Sequence, residues 1–133
     1  MQIGTVLNEA PLPNLIKAAQ KIEAAGLSNI WMANIFGYDA ISVLAILGRE
    51  TSTIGLGTAV TPTYPRHPTA IAQQALTAAA VTDNRFTLGI GLSHKLVIED
   101  MFGMSYEKPA RHMREYLSVL MPLARGELSL IHI

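Results

Sequence analysis

Cysteine is absent from the 133 residues, so disulfide frameworks, thiolate metal sites and cysteine nucleophiles are all excluded. Net charge is absent too. Ten Lys and Arg balance ten Asp and Glu, which removes the electrostatic argument for nucleic acid or an anionic membrane surface as a partner. Half of the residues are apolar, yet no run approaches the ~20 unbroken apolar residues of a spanning helix. The opening Met1-Gln2-Ile3-Gly4 lacks the basic and apolar regions of a secretory signal. No two histidines stand three or four residues apart on a helix, so no metal site is expected. A one-domain cytoplasmic enzyme or enzyme fragment fits these bounds, which do not demand one.

What is present is an alternation of strand and helix. Ile3 to Asn8 reads as a short buried strand. Pro13 then suits the first turn of a helix, carrying Leu15, Ala18, Ala19, Ile22 and Ala25, with Gly26 as its stop. A strand from Asn29 to Ala33 follows. Asp39 can cap a second helix bearing Ile41, Leu44, Ala45 and Leu47, which is expected to end near Gly48. Thr53 to Val60 is a third strand and Pro68 to Val81 an alanine-rich third helix suited to close packing. Phe86 to Gly91 is a fourth strand. Pro109 to Arg125 is a fourth helix with Met113, Tyr116, Leu117 and Leu120 on one face, and a kink is expected at Pro122.

The strands begin 24 to 33 residues apart, the spacing of βα units with parallel strands. Two architectures accommodate four such units: an open doubly wound sheet, or the first half of a (β/α)₈ barrel, which in full needs roughly 250 residues. The dinucleotide-binding version of the open sheet fits poorly. Gly55-Leu56-Gly57 and Gly89-Ile90-Gly91 each begin a G-x-G, but neither has the third glycine at the right offset, and both lie inside strands. The expected class is therefore α/β, a partial (β/α)₈ barrel of roughly the first four βα units.

Residues 1–127 form that half-barrel. The last six, Leu128-Ser129-Leu130-Ile131-His132-Ile133, match the translation of CTGTCTCTTATACACATC, a transposase adapter end, and residues 128–133 are read as an adapter-derived tail, with a fifth strand carrying Leu128, Leu130 and Ile131 as the alternative.

The third and fourth strands carry a family resemblance. Ile54-Gly55-Leu56-Gly57-Thr58-Ala59-Val60, then Arg66-His67-Pro68, then Asp83-Asn84-Arg85-Phe86-Thr87-Leu88-Gly89-Ile90-Gly91, and finally Pro109-Ala110-Arg111-His112-Met113-Arg114-Glu115-Tyr116-Leu117 resemble the luciferase-like family of flavin and deazaflavin oxidoreductases. The deazaflavin branch, which uses coenzyme F420, is the nearer in pattern. The resemblance implies an oxidoreductase that transfers hydride between this coenzyme and a small organic substrate. Flavin mononucleotide (FMN) with monooxygenation is the alternative cofactor reading. The full-length protein is expected to be a homo-oligomer. The chain as it stands could instead be an inactive truncated fragment, or a compact open sheet acting as a binding module.

In a barrel, the C-terminal strand ends and the loops after them build the site. The resemblance implies a non-prolyl cis peptide at Ala59–Val60 behind the ring, with Thr61 following it. It also implies ring-edge contacts at Ser93 and His94, which can donate hydrogen bonds. Small Ala59, with glycines at 55 and 57, would let a flat ring approach closely. Asn8 and Asn34 are the expected substrate contacts. Asn34 stands where related dehydrogenases place a carboxylate beside a histidine, and here its neighbours are Ala33 and Ile35, so no catalytic acid or base is assigned. Among the rest, Trp31 reads as a packing residue, His67 as a loop residue or helix cap, and His112 as a surface residue. Glu99 and Asp100 read as a solvated loop, and Met101, Met104, Met113 and Met121 as core fillers. Unpaired first and fourth strands and an uncovered inner sheet face predict that the isolated chain dimerises or aggregates.

Overall fold

The computed structural model describes residues 2–8 and 10–127; the proposed adapter-derived tail lies outside them. In chain order the elements are β1 (Gly4–Leu7), α1 (Leu12–Ala24), β2 (Asn29–Met32), α2 (Ala40–Arg49), β3 (Gly55–Thr58), β4 (Thr61–Pro62), α3 (Pro68–Val81), β5 (Phe86–Thr87), β6 (Ile90–Gly91), a π-helical turn (Val97–Met101) and α4 (Pro109–Ala124). Residues up to Thr61 together with Gln74–Ile90 form one compact unit, and Pro62–Gln73 with the residues from Gly91 onward form a second.

The first unit holds a four-stranded parallel sheet in the order β1-β2-β3-β5. Leu7 is registered with Met32, and Met32 with Thr58. The order follows the sequence with no reversal, and α1 and α2 share one core on the same side. Leu15 and Ala19 of α1, with Val43, Leu44 and Leu47 of α2, pack with Ile30, Met32, Ile54 and Leu56. An open doubly wound sheet would place a switch point in that order; consecutive βα units of a barrel do not. β1 and β5 are the sheet's edges, and Val6 of β1 remains 58% exposed.

Local chemistry sets the helix ends. Pro13 occupies the first turn of α1. At its end Gly26 adopts φ +81°, its N–H donates to Glu23 at 2.9 Å and the N–H of Leu27 reaches Ile22 at 3.3 Å, the paired bonds of a Schellman stop. Asp39 caps α2, accepting from the N–H of Ser42 at 2.8 Å. α2 ends at Arg49, one residue past Gly48, near where it was expected to end. Gly48 is a packing glycine: a Cβ there would collide with Thr82. Past α3, Asp83 and Asn84 take left-handed backbone, and Arg85 folds back onto α2. Its guanidinium donates to the carbonyls of Gly48 (2.6 Å), Ile54 (2.8 Å) and Thr51 (3.0 Å), tying down the turn that leads into β3.

The second unit buries Ile71, Ala72, Ile98, Tyr116 and Leu120. His67 caps the start of α3 through Nδ1, which accepts from Thr69 at 3.2 Å. Pro122 lies inside α4, which runs on to Ala124. Two expectations are corrected here. Glu99 and Asp100 sit in the π-helical turn instead of a loop, with Glu99 3.7 Å from Lys95. Met101 in the turn, Met104 in the loop after it and Met121 in α4 are exposed instead of filling a core. Among the described residues no helix is long and apolar enough to cross a membrane.

Candidate functional site

The third and fourth strands, expected to be continuous, are each broken in two. The hydroxyl of Thr58 replaces a rung of the ladder: it donates to the carbonyl of Gly89 at 2.7 Å and accepts from the N–H of Gly89 at 2.8 Å. Gly89 must be glycine at this point, since a Cβ would collide with the carbonyl of Thr58. Immediately after Thr58 comes the cis peptide Ala59–Val60. Pairing resumes at Thr61, whose N–H donates to Gly89 at 2.8 Å.

This bulge gathers three of the expected residues. Ala59 donates its N–H to Met32 at 2.9 Å, and the N–H of Asn34 donates to the carbonyl of Val60 at 3.3 Å. Ala59 and Val60 are exposed, so the bulge presents a small apolar surface at the carboxyl end of the sheet. Thr61 is fully buried, which leaves it to anchor the bulge through its backbone. Asn34 also turns its side-chain oxygen to the N–H of Ala40 at 3.0 Å, fixing the loop into α2. Asn8, exposed, follows Leu7 at the same end of β1.

The glycines before the bulge have a different role from the one expected. A side chain at Gly57 would collide with the indole of Trp31, and one at Gly55 with the amide of Asn29. Both clearances are filled by the protein's own side chains. Of residues 55–60 in this segment, Ala59 and Val60 are the exposed ones that follow the packed glycines. Trp31 is thus the packing residue it was expected to be, also touching the space above Gly4.

In the second unit, Ser93 adopts φ +63° and its carbonyl accepts from the hydroxyl of Tyr106 at 3.1 Å. His94 is exposed, and its carbonyl accepts from Ile98 at 3.0 Å to start the π-helical turn. His112, expected on the surface, is half-buried: its ring stacks on Tyr64 with centroids 3.9 Å apart and planes 6° from parallel. Its Nε2 lies 3.0 Å from the hydroxyl of Thr63. Burial pushes the imidazole below its ordinary pKa, against the opposing pull of Glu115. Tyr116 donates to the carbonyl of Arg66 at 2.9 Å, and burial pushes its phenol up to about 12. The missed signal was the spacing of His112, Tyr116 and Leu120, four residues apart and therefore on one helix face.

Similarity to known proteins agrees with this architecture. Residues 2–130 match the family described as luciferase-like monooxygenase. A Mycobacterium tuberculosis protein described as a coenzyme F420-dependent oxidoreductase is 34% identical over 110 residues, covering 83% of this chain and 32% of its own length. The 5,10-methylenetetrahydromethanopterin reductase of Archaeoglobus fulgidus is 32% identical over 106 residues, covering 79% and 32%. The chain spans about a third of the length of these curated relatives. Among solved structures, a monooxygenase from Streptomyces bottropensis superposes with a TM-score of 0.82 at 15% identity, over 92% of this chain and 42% of that one. The coenzyme F420-dependent tetrahydromethanopterin reductase of Methanopyrus kandleri gives 0.75 at 22% identity, over 92% and 39%.

Proposed function

Because the chain belongs to the luciferase-like monooxygenase family, we propose that it is the N-terminal half of an oxidoreductase that transfers hydride between a deazaflavin, coenzyme F420, and a small organic substrate. The observation that carries this reading is the exposed Ala59–Val60 bulge at the carboxyl end of a parallel sheet. It is locked by Thr58 on one side and bonded to Asn34 on the other. The Mycobacterium tuberculosis relative, 34% identical and named for the same coenzyme, favours the deazaflavin over FMN.

The residues present fit a planar ring at the bulge. Ala59 is small, and Val60 offers an apolar surface for the back of the ring. The bulge's own backbone is held by Met32, Asn34 and Gly89, so it would not need to reorganise on binding. When bound, the deazaflavin supplies the hydride-carrying carbon, and the protein's part is binding and orientation. Asn34 and Asn8 would orient the substrate. Ser93 and His94 are proposed to donate hydrogen bonds to the cofactor's polar edge, on the strength of the family resemblance. No side chain among these is assigned as acid or base.

The test is a titration of the complete gene product with coenzyme F420 and, separately, with FMN, followed by ring fluorescence. Saturable deazaflavin binding is expected, abolished by Ala59→Trp and by Val60→Trp, with circular dichroism unchanged in at least one variant. Preferential FMN binding would transfer the protein to the monooxygenase branch. Undiminished binding in both folded variants would remove the bulge from the site.

A further inference from the structure

Ser93 holds a backbone conformation that its own side chain does not explain. Its φ is +63°, in the left-handed region where the Cβ of an ordinary residue crowds the following carbonyl. Asn and Asp visit that region by bonding locally through a short polar side chain. The Ser93 hydroxyl makes no such bond to any described residue. What is held is the Ser93 carbonyl, which accepts from the Tyr106 hydroxyl at 3.1 Å across 13 residues.

Tyr106 is fixed from three directions. It is the half-buried residue of an otherwise exposed stretch, residues 101–108. Its N–H donates to the Glu99 carboxylate at 3.3 Å, and that carboxylate lies 3.7 Å from the Lys95 ammonium. Its ring stacks on Tyr64 with centroids 5.2 Å apart and planes 30° from parallel, and Tyr64 stacks in turn on His112 of α4. The hydroxyl at its tip goes to Ser93. All of these residues belong to the second unit.

A ring held by stacking needs no hydroxyl, because phenylalanine would stack as well. The hydroxyl adds a bond to the peptide that joins Ser93 to His94, and so fixes the direction in which each of the two side chains leaves the backbone. The following peptide is held too, since the carbonyl of His94 accepts from Ile98 at 3.0 Å. We infer that Tyr106 is a positioning residue of the cofactor site. Its hydroxyl clamps the Ser93–His94 peptide in the left-handed geometry from which these two side chains meet the polar edge of the deazaflavin. The inference rests on the functional reading above and adds what keeps its two ring-edge residues in place. A loop that samples other conformations binds in proportion to the fraction in the competent one, so loss of the clamp should weaken affinity more than stability.

The test uses the complete gene product carrying Tyr106→Phe, which keeps the stack on Tyr64 and loses the donor. Deazaflavin affinity, read by ring fluorescence, is expected to fall about five- to tenfold, the effect of one neutral hydrogen bond, while the urea midpoint moves little. In protein that also carries Ser93→Ala and His94→Ala, the same change should cost no affinity, because nothing is left to position. A readout without cofactor is the Ser93 backbone itself, followed by NMR couplings and shifts in serine- and histidine-labelled protein. The native protein should show a left-handed φ, and Tyr106→Phe a mixture. Undiminished affinity, or an unchanged left-handed Ser93 in Tyr106→Phe, overturns the inference. So does an equal loss of affinity in both backgrounds, which is what a merely structural tyrosine would produce. In each of these cases saturable binding by the native protein leaves the proposed function standing; native protein that binds no deazaflavin removes both.

Discussion

The hydroxyl of Thr58 and the peptide of Gly89 exchange two hydrogen bonds, 2.7 Å out to the carbonyl and 2.8 Å in from the N–H. A side chain here does what a strand's backbone does elsewhere in the sheet, and it does so one residue before the bulge. Thr58→Val keeps the shape and removes both bonds, leaving the N–H of Gly89 without its partner while its carbonyl keeps the N–H of Thr61. The expected cost is about 2–3 kcal/mol, measured by urea unfolding. Thr58→Ser keeps the hydroxyl and should cost about 1 kcal/mol for the lost methyl. Equal stability of the valine variant and the native chain would mean the pair contributes nothing.

Trp31 and Gly57 make a second such pair on the other face of the sheet. The indole occupies the volume that any Cβ at position 57 would need. Gly57→Ala should therefore destabilise by about 1–3 kcal/mol through overpacking. Because Trp31 is the sole tryptophan, its emission should shift as the ring is displaced. In a Trp31→Ala background the same glycine change should cost less, a coupling that a double-mutant cycle reads directly. Additive costs would refute the packing account.

Glu23 gives a prediction in pH. Burial pushes its carboxyl up, but N–H groups of Thr53, Ile54 and Ser52 and the Thr53 hydroxyl outweigh burial and bring the pKa from 4.5 to about 2. The folded value lies below the unfolded one, so the stabilisation is present above pH 4.5 and is lost as pH falls toward 2. The site is largely exposed, so solvent screening reduces what the bonds contribute, and Glu23→Gln should cost only about 1 kcal/mol at pH 7. The gap between native and variant unfolding midpoints should close on acidification through that window. A gap independent of pH would show that ionisation is not involved.

Most of the fold was legible because its signals are local. Pro13, Gly26, Asp39 and the run Pro68–Val81 act through caps, stops and propensity that a short window contains. The breaks in the third and fourth strands were not legible, since nothing in Thr58 announces a partner 31 residues away. Gly48, Gly55 and Gly57 read alike in sequence, as a stop or as room for a ligand. Their meaning depends on Thr82, Asn29 and Trp31, which only the tertiary fold brings near. Of the candidate site, the cis bond at Ala59–Val60 matched what the family resemblance implied. The burial of Thr61 and the capping role of Asn34 did not follow from it.

His112 carries the last prediction. Its imidazole stacks on Tyr64 and lies 3.0 Å from the Thr63 hydroxyl, and burial holds its pKa below the ordinary 6.5. A folded value below the unfolded one means that the unfolded chain binds the proton first. Stability conferred by the neutral ring is thus complete above pH 6.5 and declines as pH falls below it. His112→Gln can keep a polar contact to Thr63 but cannot titrate, and it loses the stacked ring. It should be less stable at pH 7.5, by about 1 kcal/mol for the aromatic contact, and should lose less stability than the native chain between pH 7 and 5. Urea midpoints across that interval provide the check. Parallel slopes for the two proteins would mean that the ring's proton is not linked to folding, and the stack would then be a matter of packing alone.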